Sequence, residues 1–135
     1  SVLRDSLIPE CLSFLSKNKH VDYPQKIFEV GNVIKIDKAK ETKTKDENNL
    51  CVLLTDNNIN YQMASSHLDA LLSNLDINYK LKEAEDNRFI EGRCASVFVN
   101  DKKIGLIGEI NPKVLENFSL ELPCVGYEIN IDSLM

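Results

Sequence analysis

The residues of this chain that could do chemistry fall into four groups: a glycine-bearing run, scattered acids and arginines, one helix-borne histidine and four cysteines. In the stretch "KIGLIGEINPKVLENF", residues 103–118, Gly105 and Gly108 invite comparison with a phosphate-binding loop. Such a loop needs glycines between a strand and a helix, so that free amides point at the anion. Here both glycines lie inside the apolar run "IGLIGEI", and their spacing fits neither GxGxxG nor GxxxxGK[ST]. They suit a strand that another segment approaches closely. The helix that follows starts at Asn111, an N-cap, with Pro112 at its first position, where a missing N–H costs nothing.

Glu109, Glu116, Glu121 and Glu128 could pair for acid–base work, but charged strand residues usually face solvent, and none is assigned such a role. Arg4 and Arg93 could each hold a carboxylate or phosphate with a planar fork, although a structural ion pair is the commoner use. Ser65 and Ser66 precede His67 in one predicted helix, which excludes the nucleophile–base geometry of a triad, and no GxSxG elbow is present. His67 itself reads as a surface residue off the apolar stripe. Cys11, Cys51, Cys94 and Cys124 lie 40, 43 and 30 residues apart with no CxxC pair, so metal-ligand spacing is absent. The last three sit in apolar surroundings ("LCVLL", "RCASVFV", "PCVGYEI"), where a reduced thiol is a small hydrophobe, and a cytoplasmic setting follows. No catalytic, cofactor-binding or metal-binding residue is assigned from these patterns.

The elements that must position these groups are read from periodicity. At 135 residues the chain fits one domain, 1–135, that buries roughly two-thirds of its unfolded surface. Its 43% hydrophobic and 27% charged residues are close to globular averages, no segment is apolar enough to span a membrane, and no signal peptide is visible. The absence of an initiating Met suggests a fragment or a processed chain, and a fragment is the reading taken. Sixteen bases against 21 acids leave a net charge of -5, which argues against a free-standing domain held to phosphates by counterion release.

"SLIPECLSFLSKNKH" predicts a helix capped by Ser6, with Pro9 in its first turn and Ile8, Cys11, Leu12 and Leu15 facing inward. "QKIFEVGNVIKID" alternates as a strand, and Gly31 offers a place for it to bend. Five lysines and four acids between Lys35 and Glu47 predict a solvated loop or hairpin tip. "LCVLLTD" reads as a buried strand, and Ala64, Leu68, Leu71, Leu72 and Leu75 form the stripe of a helix. "INYKLKEA" is read as a strand and "EDNRFIEG" as a loop. "RCASVFVNDKKIGLIGEI" is read as two strands turning at Asn100 and Asp101, "NPKVLENF" as a short helix and "CVGYEINID" as a final strand. About six strands and three helices without βαβ alternation predict α+β with an antiparallel sheet.

Taken together, "LRDSLIPECLSFLSKNKHVDYPQKIFEVGNVI", "FIEGRCASVFVNDKKIGLIGEINPKVLENFSLELP" and "YEINIDSL" resemble the C-terminal part of phenylalanine–tRNA ligase β subunits of the archaeal or eukaryotic type. The combination R-x-S-L-x-P, K-x-F-E, G-R-x-A, I-G-x-I-x-P and F/Y-E-I, in register across nearly the whole chain, carries the resemblance. It implies a class II aminoacyl-tRNA synthetase-like fold, an antiparallel sheet flanked by helices. It also implies membership of an enzyme that joins phenylalanine to its tRNA using ATP and Mg²⁺, with the chemistry on a partner α subunit in an α2β2 assembly and tRNA bound through the whole enzyme.

In active modules of that class the second signature looks like G-R-V-F-R-x-E, whose second arginine holds the ATP α-phosphate. This chain has "GNVIKID", with Asn32 and Lys35 in the arginine positions. The third signature should end in an arginine near the C-terminus, but "CVGYEINIDSLM" contains none. The resemblance therefore implies a catalytic-like, inactive core module that needs no cofactor of its own, with the subunit's editing, nucleic-acid and metal-binding modules upstream of Ser1. An alternative is a free-standing interaction module that reuses the fold with the lysine-bearing loop as its contact. Another is a small enzyme using Glu109 with Arg93. Residues upstream of Ser1 separate the first of these from the family reading, and alanine substitutions test the second.

Overall fold

A computed structural model describes residues 4–36 and 44–134. Six strands form one antiparallel sheet in the order β1-β2-β6-β5-β4-β3, where β1 is Gln25–Ile36, β2 Thr44–Thr55, β3 Lys80–Glu83, β4 Phe89–Val99, β5 Lys102–Ile110 and β6 Cys124–Asn130. The last strand in sequence is therefore central. It pairs with β2 on one side and β5 on the other, and Cys124 through Ile129 are all buried, as expected of a strand covered on both faces.

Helices α1 (Ile8–Lys17) and α3 (Pro112–Asn117) cover one face, and α2 (Tyr61–Asn74) covers the other. Leu7, Ile8, Leu12 and Leu15 pack with Cys51, Leu53, Phe89, Ile110 and Leu115 on the first face. On the second, Ala64, Leu68 and Leu72 of α2 meet Val52, Val97, Ile107, Tyr127 and Ile129. Each fully buried aliphatic side chain contributes about 1.5–3 kcal/mol, so these two layers drive the fold. Alternation along each strand sends neighbours to opposite layers, which is why a strand such as β6 can be buried from Cys124 through Ile129.

Local chemistry sets the element ends. Asn60 accepts from the Met63 N–H and Asn111 from the Lys113 N–H, so both are N-caps, and Pro112 opens α3 as its spacing predicts. Ser6 differs from expectation: Leu7 is the N-cap of α1, while the Ser6 hydroxyl accepts the Ile8 N–H and donates to Glu128. Asn100 and Asp101 turn β4 into β5 with φ of 52° and 63°, the left-handed pair that a two-residue hairpin needs. Gly105 sits where a Cβ would lie 2.0 Å from the Glu128 carbonyl oxygen, so only glycine allows β5 and β6 to approach there.

Three further expectations need correction. The charged segment is not wholly loop: its ends are strand, through Ile36 on one side and from Thr44 on the other, because the β1–β2 ladder runs from Gln25↔Thr55 out to Ile36↔Thr44. The rest of that segment, 37–43, lies outside the described residues. "EDNRFIEG" is loop only up to Arg88, since Phe89 and Ile90 already belong to β4 and Phe89 is buried against Ile110. Leu75 is 53% exposed because α2 ends at Asn74.

Candidate functional site

The sheet positions two buried glutamates on adjacent strands and opposite faces. Glu109 on β5 is directed to the α2 side, where its Oε1 accepts the Tyr61 N–H at 2.9 Å and its Oε2 accepts from Arg93 Nη1 at 2.8 Å. Glu128 on β6 is directed to the α1 side. It accepts from the Ser6 hydroxyl at 2.6 Å, the Leu7 N–H at 3.0 Å and Asn49 Nδ2 at 2.6 Å. Only 8% of Glu109 and 7% of Glu128 is exposed, against the expectation that strand carboxylates face water. The signal available in sequence was the setting: "IGEI" and "GYEI" place each glutamate in an apolar run, and such a run marks a strand covered on both faces. Glu116 and Glu121 are exposed and join neither site.

Around Glu109 lies a cavity of about 690 Å³, lined by the first turn of α2, by β3 and by β4. The Tyr61 ring, Leu81 and Ala95 supply its apolar wall, and Arg93, Glu83 and Glu109 its charge. Burial raises the Tyr61 hydroxyl and the Cys94 thiol above their ordinary values, so neither is ionised as a nucleophile at neutral pH. The remaining thiols are buried and free, and burial pushes Cys124 up to about 12. Cys51 is raised as well, chiefly by its contact with Cys11. These are core side chains, as their neighbours in the sequence indicate.

His67 is half-buried rather than on the surface. Its Nδ1 lies 2.7 Å from the hydroxyl of Tyr127, which is 1% exposed. Burial and the nearby Lys26 lower the imidazole pKa. A buried tyrosine needs a partner for its hydroxyl, and His67 provides it; nothing in the sequence pattern of α2 revealed a partner from β6.

Arg4 and Arg93 both make ion pairs, with Glu10 and Glu109 respectively. Arg4 also donates from Nε to the Asn32 carbonyl at 2.8 Å and lies over Gly31, which ties residues 4–7 to β1. Lys35 donates to the Asp5 carbonyl at 2.6 Å. Asn32 and Lys35, three residues apart on one strand, are directed to opposite faces, so they do not converge on one anion. Among the described residues no group of three or more His, Cys, Asp or Glu side chains is arranged to hold a metal.

Comparison with known proteins matches residues 1–131 to a family model described as the phenylalanyl tRNA synthetase beta chain CLM domain. The chain belongs to the phenylalanine–tRNA ligase β-subunit family. Relatives of that name include one from Pyrococcus abyssi, 46% identical over 129 residues that make up 96% of this chain and 23% of the relative. Another, from Korarchaeum cryptofilum, is 43% identical over 96% of this chain and 23% of its own. The chain thus spans about a quarter of the length of these β subunits. Two solved structures of pyrrolysyl-tRNA synthetase from Desulfitobacterium hafniense superpose with TM-scores of 0.77 and 0.79 over 98% of this chain and 48% of theirs. At 15% and 17% identity they show the fold alone, a class II synthetase-like α+β sheet.

Proposed function

We propose that this chain is the non-catalytic, synthetase-core-like domain of a phenylalanine–tRNA ligase β subunit, and that it packs against the α subunit of a cytoplasmic α2β2 enzyme. The whole enzyme attaches phenylalanine to its tRNA using ATP and Mg²⁺, and tRNA is bound by the assembly rather than by this acidic domain alone. One observation carries the architectural part: the open edge of the sheet is apolar. Strand β1 ends the sheet, and before the point where the Arg4 carbonyl takes its Ile34 N–H it carries Phe28, 70% exposed, and Val30, 60% exposed; Phe14 of α1, 53% exposed, shares a groove with Phe28. A stretch of edge strand that carries large exposed apolar side chains is a liability in a solitary domain and suits a surface that a partner covers. The groove beside it, about 350 Å³, is lined by Cys11, Phe14, Ile27 and Phe28, with Glu29 as its charged member, and continues that surface.

The residues at the signature positions do not fit an ATP–Mg²⁺ complex. Asn32 offers no cation, Lys35 is engaged with the Asp5 carbonyl and lacks the planar fork, and β6 and the turn after it, Asp132–Leu134, carry no arginine. Stabilisation of charge at an α-phosphate has no donors here, so no step of adenylate formation is assigned to this chain.

Two measurements test the reading. Co-expression with the α subunit should yield a stable complex, and Phe28→Asp should weaken that complex while leaving the chain folded, because a charge would be buried at the contact. A chain that stays monomeric beside the α subunit sinks the proposal. ATP–pyrophosphate exchange by the chain alone should show no dependence on phenylalanine, and phenylalanine-dependent turnover would refute the assignment as non-catalytic.

A further inference from the structure

We propose that the cavity at the start of α2 is a binding site for a small carboxylate with an apolar body, a role separate from subunit packing and independent of it. The cavity exists because β4 leaves the ladder between Phe89↔Ile110 and Cys94↔Gly108, so that residues 90–93 stand opposite Glu109 alone. Bulges of this kind re-aim side chains. Gly92, at φ 80°, lies within this stretch, and no atom beyond its chain neighbours is within 4 Å of where its Cβ would be, so it faces open space. The volume of about 690 Å³ falls within the range of small-molecule sites.

Arg93 gives the site its chemistry. A guanidinium has five N–H donors, and Arg93 spends one, from Nη1, on Glu109. Its remaining donors meet no acceptor among the described residues, and 61% of the side chain is exposed. Both oxygens of Glu109 are taken, by Arg93 and by the Tyr61 N–H, so the carboxylate fixes the guanidinium and leaves its outer edge open. A planar fork of that kind matches a carboxylate. Among the described residues no second cation lines the cavity, and Glu83 and Glu109 add negative charge, which disfavours a phosphate dianion. A cationic ligand gains little, because Glu109 is already satisfied and exposed Glu83 is screened by solvent. Leu81, Ala95 and the Tyr61 ring then receive the apolar body.

Titration of the chain with 3-phenylpropionate, followed by backbone amide shifts, tests the site. Saturable shifts are expected at residues 60–62, 81–83 and 92–95, with a dissociation constant on the order of 1 mM. Phenylethylamine and inorganic phosphate should leave those amides unmoved. Arg93→Gln should weaken 3-phenylpropionate by about tenfold or more, and Gln62→Trp, which blocks the cavity mouth while keeping the Arg93–Glu109 pair, should do the same. The proposal is overturned by absent or non-saturable shifts, by an equal response to phenylethylamine, or by unchanged affinity in Gln62→Trp, a variant that removes no ion pair. Loss of subunit packing in a Phe28→Asp chain would leave this titration as it is, so the two proposals fail separately.

Discussion

The two buried glutamates, one on each face of the sheet, are satisfied in opposite ways. Glu128 is held entirely by neutral donors, from Ser6, Leu7 and Asn49, under a closed layer formed by α1. Glu109 is held by one backbone N–H and one solvent-exposed guanidinium, at the wall of an open cavity. Hydrogen bonds to a carboxylate in a closed layer fix architecture, since removing the acceptor strands several donors away from water. A carboxylate that shares an exposed arginine leaves that arginine with spare donors, so the same residue type on the next strand belongs to a recognition surface.

The largest effect should come from breaking the closed face. Glu128→Ala leaves the Ser6 hydroxyl, the Leu7 N–H and Asn49 Nδ2 buried without an acceptor, at roughly 1–3 kcal/mol per stranded donor, and the total should approach 3–5 kcal/mol. Urea denaturation of the variant checks this. Among the described residues Asn49 Oδ1 has no partner, so Asn49 has no second side-chain bond there with which to compensate. A loss below about 1 kcal/mol would contradict the view of Glu128 as the tie between residues 6–7 and the central strand.

Glu109→Ala should cost less, about 1–2 kcal/mol, because it strands only the Tyr61 N–H at the start of α2 while Arg93 turns to water. Arg93→Gln should cost about 1 kcal/mol or less. The pair is discounted for solvent on the arginine side, and the glutamine amide can still donate to Glu109. If Glu109→Ala and Glu128→Ala proved equally destabilising in the same denaturation series, the distinction between a structural and an accessible carboxylate would collapse.

Much of this was legible beforehand. The strand and helix content, the Asn100–Asp101 turn and the Asn111–Pro112 helix start all follow from local chemistry, which the sequence carries residue by residue. The family followed from several motifs held in register. The apolar runs around Glu109 and Glu128 hinted at their burial, but their partners were not legible, because those come from far along the chain, here Ser6 and Leu7 to Glu128 and Tyr61 to Glu109. The β4 bulge that opens the cavity was hidden for a related reason. Register is a property of two strands, and "FIEGRC" alone gives no count of the residues opposite it.

The smallest expected effect concerns the α2 face, where His67 partners Tyr127. Burial and Lys26 lower the folded-state pKa of His67 below its ordinary 6.5, so the native chain favours the neutral ring more than the unfolded chain does. The unfolded state therefore binds the proton more readily. The contribution of His67 is complete above pH 6.5 and declines as pH falls from there through the lower, folded-state value. Denaturation at pH 8 and pH 5 should show a smaller decline in His67→Gln, whose amide can still meet the Tyr127 hydroxyl but does not titrate. Because acids on both faces also titrate toward pH 5, the informative quantity is the difference between the two chains. A difference of zero would show that the Tyr127 hydroxyl serves protonated and neutral His67 equally, and would leave the α2 face without a pH-linked tie.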